Sequence, residues 1–221
     1  MRFDIIGANP KILESSLTNG LIKRAIEKSF IEVYTHNLRD YSEGNYKQID
    51  DTPYGGGAGM ILKPEPFFKC INRLLEERTY DEVIYFSPQG NKFNQKTAND
   101  MSLNKCFLLI CGHYKGIDER VIDKFVTKEI SIGDYVISCG EIASIVFIDS
   151  VSRLIPGVLG DGESAITDSF QVETGFDCPQ YTRPEEYGGL KVPDVLLSGN
   201  HAEIEKWRKG KAEEKYNRIK K

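Results

Sequence analysis

Apolar and polar positions alternate between strand-like and helix-like periods along the chain. Arg2–Ile6 predicts an opening strand, which Asn9-Pro10 breaks. Leu13, Leu17, Leu21 and Ile26 then recur at helical spacing. Ile31–Thr35 alternates and predicts a second strand. His36–Gly59 is polar, then glycine-rich, and reads as a long functional loop. Pro64 opens a helix carrying Phe67, Phe68, Ile71, Leu74 and Leu75. Val83–Phe86 predicts a third strand that stops at Ser87-Pro88-Gln89-Gly90. A short helix should precede Cys106–Cys111, a continuous apolar run suited to a buried parallel strand. Ile117–Phe125 reads as helix, Glu129–Ile132 as strand, and Gly133 as its break. Gly140–Ile155 predicts a helix apolar on most faces (Ile142, Ile145, Val146, Ile148, Val151, Leu154), hence deeply packed. Pro156-Gly157 ends it.

This alternation of strand and helix predicts an α/β fold with a mostly parallel sheet. Ligands in such sheets gather at the carboxyl ends of strands. Three strand ends are expected to lead into loops bearing Gly and Ser: residues 87–90, 112–116 and 131–140. That is the pattern of a small-molecule pocket, although glycines also serve plain tight turns. Residues 157–170 read as a linker, and a second region follows. In that region Val195–Leu197 is a short apolar stretch. Asn200 should start a final helix, with Glu203 near the capping-box position.

Charge changes the picture in one place. The 221 residues carry a net charge of −4, which argues mildly against a nucleic-acid partner. Residues 206–221, however, hold eight basic and two acidic side chains, and the remainder carries −10. Charge alone reads this tail as a solvated, Lys-rich helix. Five cysteines without a CxxC pair, and three dispersed histidines, support neither a disulfide framework nor a Cys/His zinc site. A reducing, cytoplasmic setting is expected. The charge-free stretch Pro53–Leu62 is far short of a membrane span, and the N-terminus shows no signal-peptide pattern.

GxxxxGK[ST], HExxH and GxSxG are all absent. Tyr54–Gly59 (YGGGAG) by itself leaves phosphate cradle, base pocket and plain loop open. Seven blocks in register carry more. They begin with Asp50–Met60, Ser87–Gly90, Leu109–Arg120 and Ser131–Ser138. Ser152–Gly160, Asp177–Pro184 and Leu196–Ile204 complete them. In this order and spacing the chain resembles the bacterial tRNA (guanine-N1)-methyltransferases, TrmD type, of the SPOUT class, over nearly its whole length.

The resemblance implies a SPOUT-type parallel sheet with a deep C-terminal trefoil knot over residues 1–160. It implies a linker over 161–170 and a small helical, tRNA-binding domain over 171–221. It also implies a homodimer with shared active sites and methyl transfer from S-adenosylmethionine to N1 of guanosine 37 in tRNA. Asp168 matches the family's general base, and Arg153 the arginine that stabilises charge developing on guanine O6. An aspartate in a Thr-Asp-Ser context is also an ordinary helix N-cap, and Arg153 could simply pair with Asp149.

Cofactor contacts are implied for Tyr85, Ser87, Pro88, Gly90, Gly112, Tyr114 and Gly140. The run Ser131, Ile132, Gly133, Asp134, Tyr135, Val136 and Ile137 joins them. Asp50, Asp51, Tyr54, Gly55, Gly56 and Gly57 would face the target guanine. Lys206 and Arg208 would contact the RNA backbone.

Three departures stand out. Lys115 replaces a common Glu that the resemblance links to a divalent ion, and a charged ammonium cannot ligate a cation, so magnesium dependence is left open and no metal ligand is assigned. His113 replaces a common Arg, and Cys139 a usual Gly. Two readings from other classes remain. One is a cysteine-nucleophile enzyme using Cys139, its thiol activated by the following helix N-terminus. The other is a non-catalytic RNA-binding protein.

Overall fold

The structure is a computed structural model and describes residues 1–160, 169–170 and 176–219. The chain divides into two compact units, Met1–Gly160 and Asp161–Lys221.

The first unit is a three-layer α/β/α sandwich. Its five-stranded sheet is wholly parallel. The strands are β1 (Arg2–Gly7), β2 (Glu32–Asn37), β5 (Glu82–Lys92), β6 (Cys106–Ile110) and β7 (Lys128–Ser131), in the order β2-β1-β6-β5-β7. The period of two along the strands divides the core. Phe3, Ile5, Ile84, Phe86, Phe107 and Leu109 face one layer. Ile6, Val83, Tyr85, Leu108 and Ile110 face the other.

On the first face pack α2 (Gly20–Glu27), α4 (Gln95–Met101) and α6 (Gly140–Ser152). They contribute Ile22 and Ala25, Ala98 and Met101, and Phe147, Ile148 and Val151. Phe147 is fully buried. Its ring meets those of Phe3, Phe86, Phe93 and Phe107 at centroid distances of 5.4–6.4 Å. The second face is covered by α3 (Pro64–Glu77), through Phe67, Cys70, Ile71 and Leu74, and by Val121 of α5 (Glu119–Phe125). Pro64 stands in the first turn of α3, where its missing N–H costs nothing.

One buried charge interrupts the second face. Asp4 is fully buried on β1. It accepts two hydrogen bonds from Arg2 (2.7 and 3.0 Å), and His36 Nε2 lies 2.8 Å away. Burial alone would raise its pKa. The hydrogen bonds and charges of His36 and Arg2 outweigh burial and hold it down to about 2.

Several expected boundaries move. The first helical stretch is three pieces: a 3-10 turn at Pro10–Leu13, α1 (Glu14–Leu17) and α2. Thr18 and Asn19 separate the last two, and Gly20, at φ +70°, opens α2. The stretch read as one long loop contains a 3-10 turn at Leu38–Tyr41 and β3 (Asp50–Asp51). β3 pairs antiparallel with β4 (Ile61–Leu62). The third strand does not stop at Ser87: it resumes after an excursion. Phe86 and Asn91 both stand opposite Ile130 of β7, so residues 87–90 are pushed out of register and the strand closes again behind them.

In the second unit, β8 (Glu186–Tyr187) and β9 (Leu190–Lys191) form a small hairpin. The helices α7 (Asp194–Leu197) and α8 (His201–Ile219) follow it. Asn200 Oδ1 accepts from the Glu203 amide (3.4 Å), capping α8. Phe176 packs on Tyr216, and Tyr181 on Trp207.

Candidate active site

The three glycine-bearing segments converge at the carboxyl end of the sheet. Residues 87–90 project from β5, 112–116 follow β6, and 132–139 follow β7. Together with Tyr85 and the start of α6 they enclose a cavity of about 400 Å³, within the range of small-molecule sites.

Two glycines make the enclosure possible. A Cβ on Gly140 would stand 2.7 Å from Cys111 Cα and 2.8 Å from the Gly112 nitrogen. Only glycine lets the Gly140 amide reach the Gly112 carbonyl (2.9 Å) and dock α6 on the end of β6. A Cβ on Gly90 would stand 2.6 Å from the Glu129 carbonyl carbon and the Ile130 nitrogen. Gly90 thus holds the excursion against β7. The ring of Tyr85 fills the space beside Gly112, and burial pushes its hydroxyl up to about 12, keeping it a neutral donor.

Tyr85, Ser87, Pro88, Gly112, Tyr114, Ser131, Ile132, Gly133, Tyr135, Val136, Ile137 and Gly140 line this cavity. Gly90 and Asp134 do not. Gly90 serves the strand seam, and Asp134 pairs with Lys92. Glu119, Glu129 and Gln89 also line the cavity, and the sequence reading missed them. Glu129 reads as a polar position of a strand, Glu119 as the acid that opens α5 and Gln89 as a turn residue, so none carries a local signal for the cavity.

The polar loop 50–60 adjoins the cavity rim. The Lys115 amide donates to the Met60 carbonyl (3.1 Å), and the Leu62 amide to the Gly116 carbonyl (3.1 Å). Asp50 and Asp51 sit on β3. Tyr54 is fully exposed, and Gly55, Gly56 and Gly57 all hold positive φ with open space around them. Lys115 lines the cavity with its stem against Gly59. An ammonium in that place does not fit a magnesium site.

Arg153 caps the end of α6, its amide donating to the Asp149 carbonyl (3.1 Å). Asp168 lies outside the described residues, as do Asp161 and Glu163, its neighbours in the linker. In the second unit, Lys206 and Arg208 are exposed on α8 on either side of Trp207 and make no ion pair among the described residues. Lys209 and Lys211 pair with Glu205 and Glu214.

The cysteine-nucleophile reading fails on Cys139. It is the N-cap residue of α6, but its thiol is buried, and burial raises its pKa against the pull of the helix amides.

The family model for "tRNA (Guanine-1)-methyltransferase TrmD" matches residues 1–220. The chain belongs to the TrmD family. Curated relatives agree along nearly the full length of both partners. A tRNA (guanine-N(1)-)-methyltransferase of Christiangramia forsetii is 54% identical over 219 residues, 99% of this chain and 96% of its own. One from Chlorobaculum tepidum is 54% identical over 215 residues, 97% and 93% of the two chains. One from Bacteroides fragilis is 48% identical over 219 residues, 99% and 97%. Among the described residues, no helix is long and apolar enough to cross a membrane.

Proposed function

We propose that the protein transfers a methyl group from S-adenosylmethionine to N1 of guanosine 37 in tRNA. The observation that carries this reading is the glycine-walled cavity at the sheet's carboxyl end, in a chain of this family. S-adenosylmethionine supplies an electrophilic methyl on a sulfonium. Backbone groups of 112–116 and 131–137 hold its adenosine, and Ile132 and Ile137 offer apolar faces to the base. Glu119 and Glu129 on the lining favour a cationic ligand.

Guanine N1 carries a proton and is a poor nucleophile, so a base must remove it. Asp168 takes that role, worth roughly 10²–10⁴ in rate. Arg153 stabilises the negative charge that spreads to O6 as the proton leaves. Asp50, Asp51 and Tyr54–Gly57 receive the guanine: carboxylates accept from its N1–H or amino group, and the glycines let its ring approach the backbone. The exposed cations Lys206 and Arg208 meet RNA phosphates.

The fold carries a trefoil knot formed by the chain after β7. Its return to the end of β6 supports this, through the Gly140–Gly112 hydrogen bond and the His113–Cys139 bridge. The protein works as a homodimer in which each site takes Asp168 from its partner. Supporting this, Val136 (86% exposed) in the loop before α6, and Ile142 (43%) and Val146 (41%) on the helix, leave apolar surface uncovered.

The test is methylation of a tRNA transcript by purified protein. Asp168→Ala should abolish turnover while S-adenosylmethionine still binds. Turnover that survives in Asp168→Ala would refute the role of that residue, and absence of methylation by the wild-type protein would refute the activity.

A further inference from the structure

Glu141, one residue into α6, is fully buried, an expensive place for a carboxylate. Its Oε1 is fixed. It accepts from the Asn9 amide (3.1 Å), and Gly7 leaves room for it: a Cβ there would stand 2.5 Å from the oxygen. Its Oε2 has no hydrogen-bond partner. His113 Nε2 lies 3.2 Å from Oε2, at ion-pair distance, and this nitrogen too lacks a hydrogen bond. The Cys139 sulfur completes the group, and all three donor atoms lie within 4.8 Å of one another. One strand-end loop supplies His113. Cys139 and Glu141 come from the cap and first turn of α6, and the bridge between His113 and Cys139 holds the two segments together.

We propose that His113, Cys139 and Glu141 form a binding site for a zinc-type divalent cation. The donor set is imidazole nitrogen, thiolate sulfur and carboxylate oxygen, which suits borderline-soft Zn²⁺ and not Mg²⁺, a cation that wants oxygen alone. Bonds of about 2.0–2.1 Å in a tetrahedron put neighbouring N and O ligands about 3.3 Å apart. The observed 3.2 Å between His113 Nε2 and Glu141 Oε2 already matches. The ion would lie between a carboxylate oxygen and a ring nitrogen that face each other at 3.2 Å without a hydrogen bond, and Asn9 orients the carboxylate from behind. The fourth position takes water from the cavity that His113 and Cys139 line. On coordination, the Cys139 thiol proton passes to solvent and the sulfur binds as thiolate. The ion would tie together two walls of the cavity, residues 112–116 and 132–139.

The test uses the full-length protein, stripped with chelator and titrated with Zn²⁺ and, separately, Co²⁺. One equivalent of Zn²⁺ should be retained through gel filtration. The cobalt form should show a thiolate-to-cobalt charge-transfer band with tetrahedral d–d bands. Cys139→Ser should remove the charge-transfer band, and both it and His113→Gln should weaken Zn²⁺ binding at least about 100-fold. Zinc should raise the melting temperature of the wild-type protein and not of Cys139→Ser. Failure to retain stoichiometric zinc overturns the proposal. So does equal retention by Cys139→Ser, or Mg²⁺ binding as tightly as Zn²⁺. The wild-type cobalt spectrum decides the matter even if a variant fails to fold: without a charge-transfer band, the cysteine is not a ligand.

Discussion

Replacing Gly140 by Ala tests whether the cavity depends on the seam between α6 and β6. The added Cβ would sit 2.7 Å from Cys111 Cα, 2.8 Å from the Gly112 nitrogen and 3.1 Å from the Cys111 carbonyl carbon. Ordinary contact between such atoms needs roughly 3.5–4.0 Å, so the helix start must move by about 1 Å. All three neighbours are backbone, and no side chain can swing aside. The shift stretches the 2.9 Å hydrogen bond from the Gly140 amide to the Gly112 carbonyl. Overpacking of this kind costs about 1–3 kcal/mol. Both glycines line the cavity, so its walls move by the same distance, and a 1 Å misplacement can cost about 10²-fold in rate. The expected result is S-adenosylmethionine binding at least tenfold weaker by calorimetry, with kcat/KM for tRNA methylation down by about 10²-fold. The variant should stay folded by circular dichroism, with a lowered melting temperature. Binding and kcat/KM within twofold of wild type, at unchanged stability, would show that the close approach does not shape the site.

Asp4→Asn probes the buried Arg2–Asp4–His36 group. A carboxyl held at about 2, against 3.8 when unfolded, stabilises the native state by about 2.4 kcal/mol above pH 5. Because the folded value is depressed, this stability is lost as pH falls from 3.8 through 2. The stability gap between wild type and Asp4→Asn in urea titrations should therefore shrink by about 1.5 kcal/mol between pH 5 and pH 2.5, and a constant gap would contradict the assignment. Phe147→Ala empties the centre of an aromatic cluster and should cost about 3–5 kcal/mol in denaturant unfolding; a loss under 1 kcal/mol would mean the cluster is not the core's keystone. Lys206→Ala with Arg208→Ala should lower the slope of log affinity for tRNA against log salt by about 2; an unchanged slope would remove both from the RNA interface. Mixing Arg153→Ala and Asp168→Ala chains should restore methylation if sites are shared between subunits, and no recovery would place both residues in one chain's site.

The layers of the fold were legible because burial imposes a period. Phe3 and Ile5 against Ile6, and Phe107 and Leu109 against Leu108 and Ile110, alternate as a sheet covered on both faces requires. The glycine-bearing strand ends were legible for a similar local reason: only glycine permits the close backbone approaches found at Gly90 and Gly140. Family membership was legible too, because seven short blocks in register say together what none says alone.

The rest belongs to tertiary structure. Nothing local tells Ser87 that the strand will resume at Asn91, because the excursion exists only where both Phe86 and Asn91 find Ile130 on a neighbouring strand. The order β2-β1-β6-β5-β7 likewise depends on which crossover packs on which face, a competition among distant segments. Glu141 reads in sequence as one acid opening a helix. Docking of α6 on β6 buries it, turns one oxygen to Asn9 and leaves the other facing His113, 28 residues earlier in the chain. The sequence by itself determined which residues would be inside and where the chain could turn, since those follow from each residue's own chemistry. Which buried polar groups meet was decided by the fold alone, because that depends on distances between segments that share no local signal.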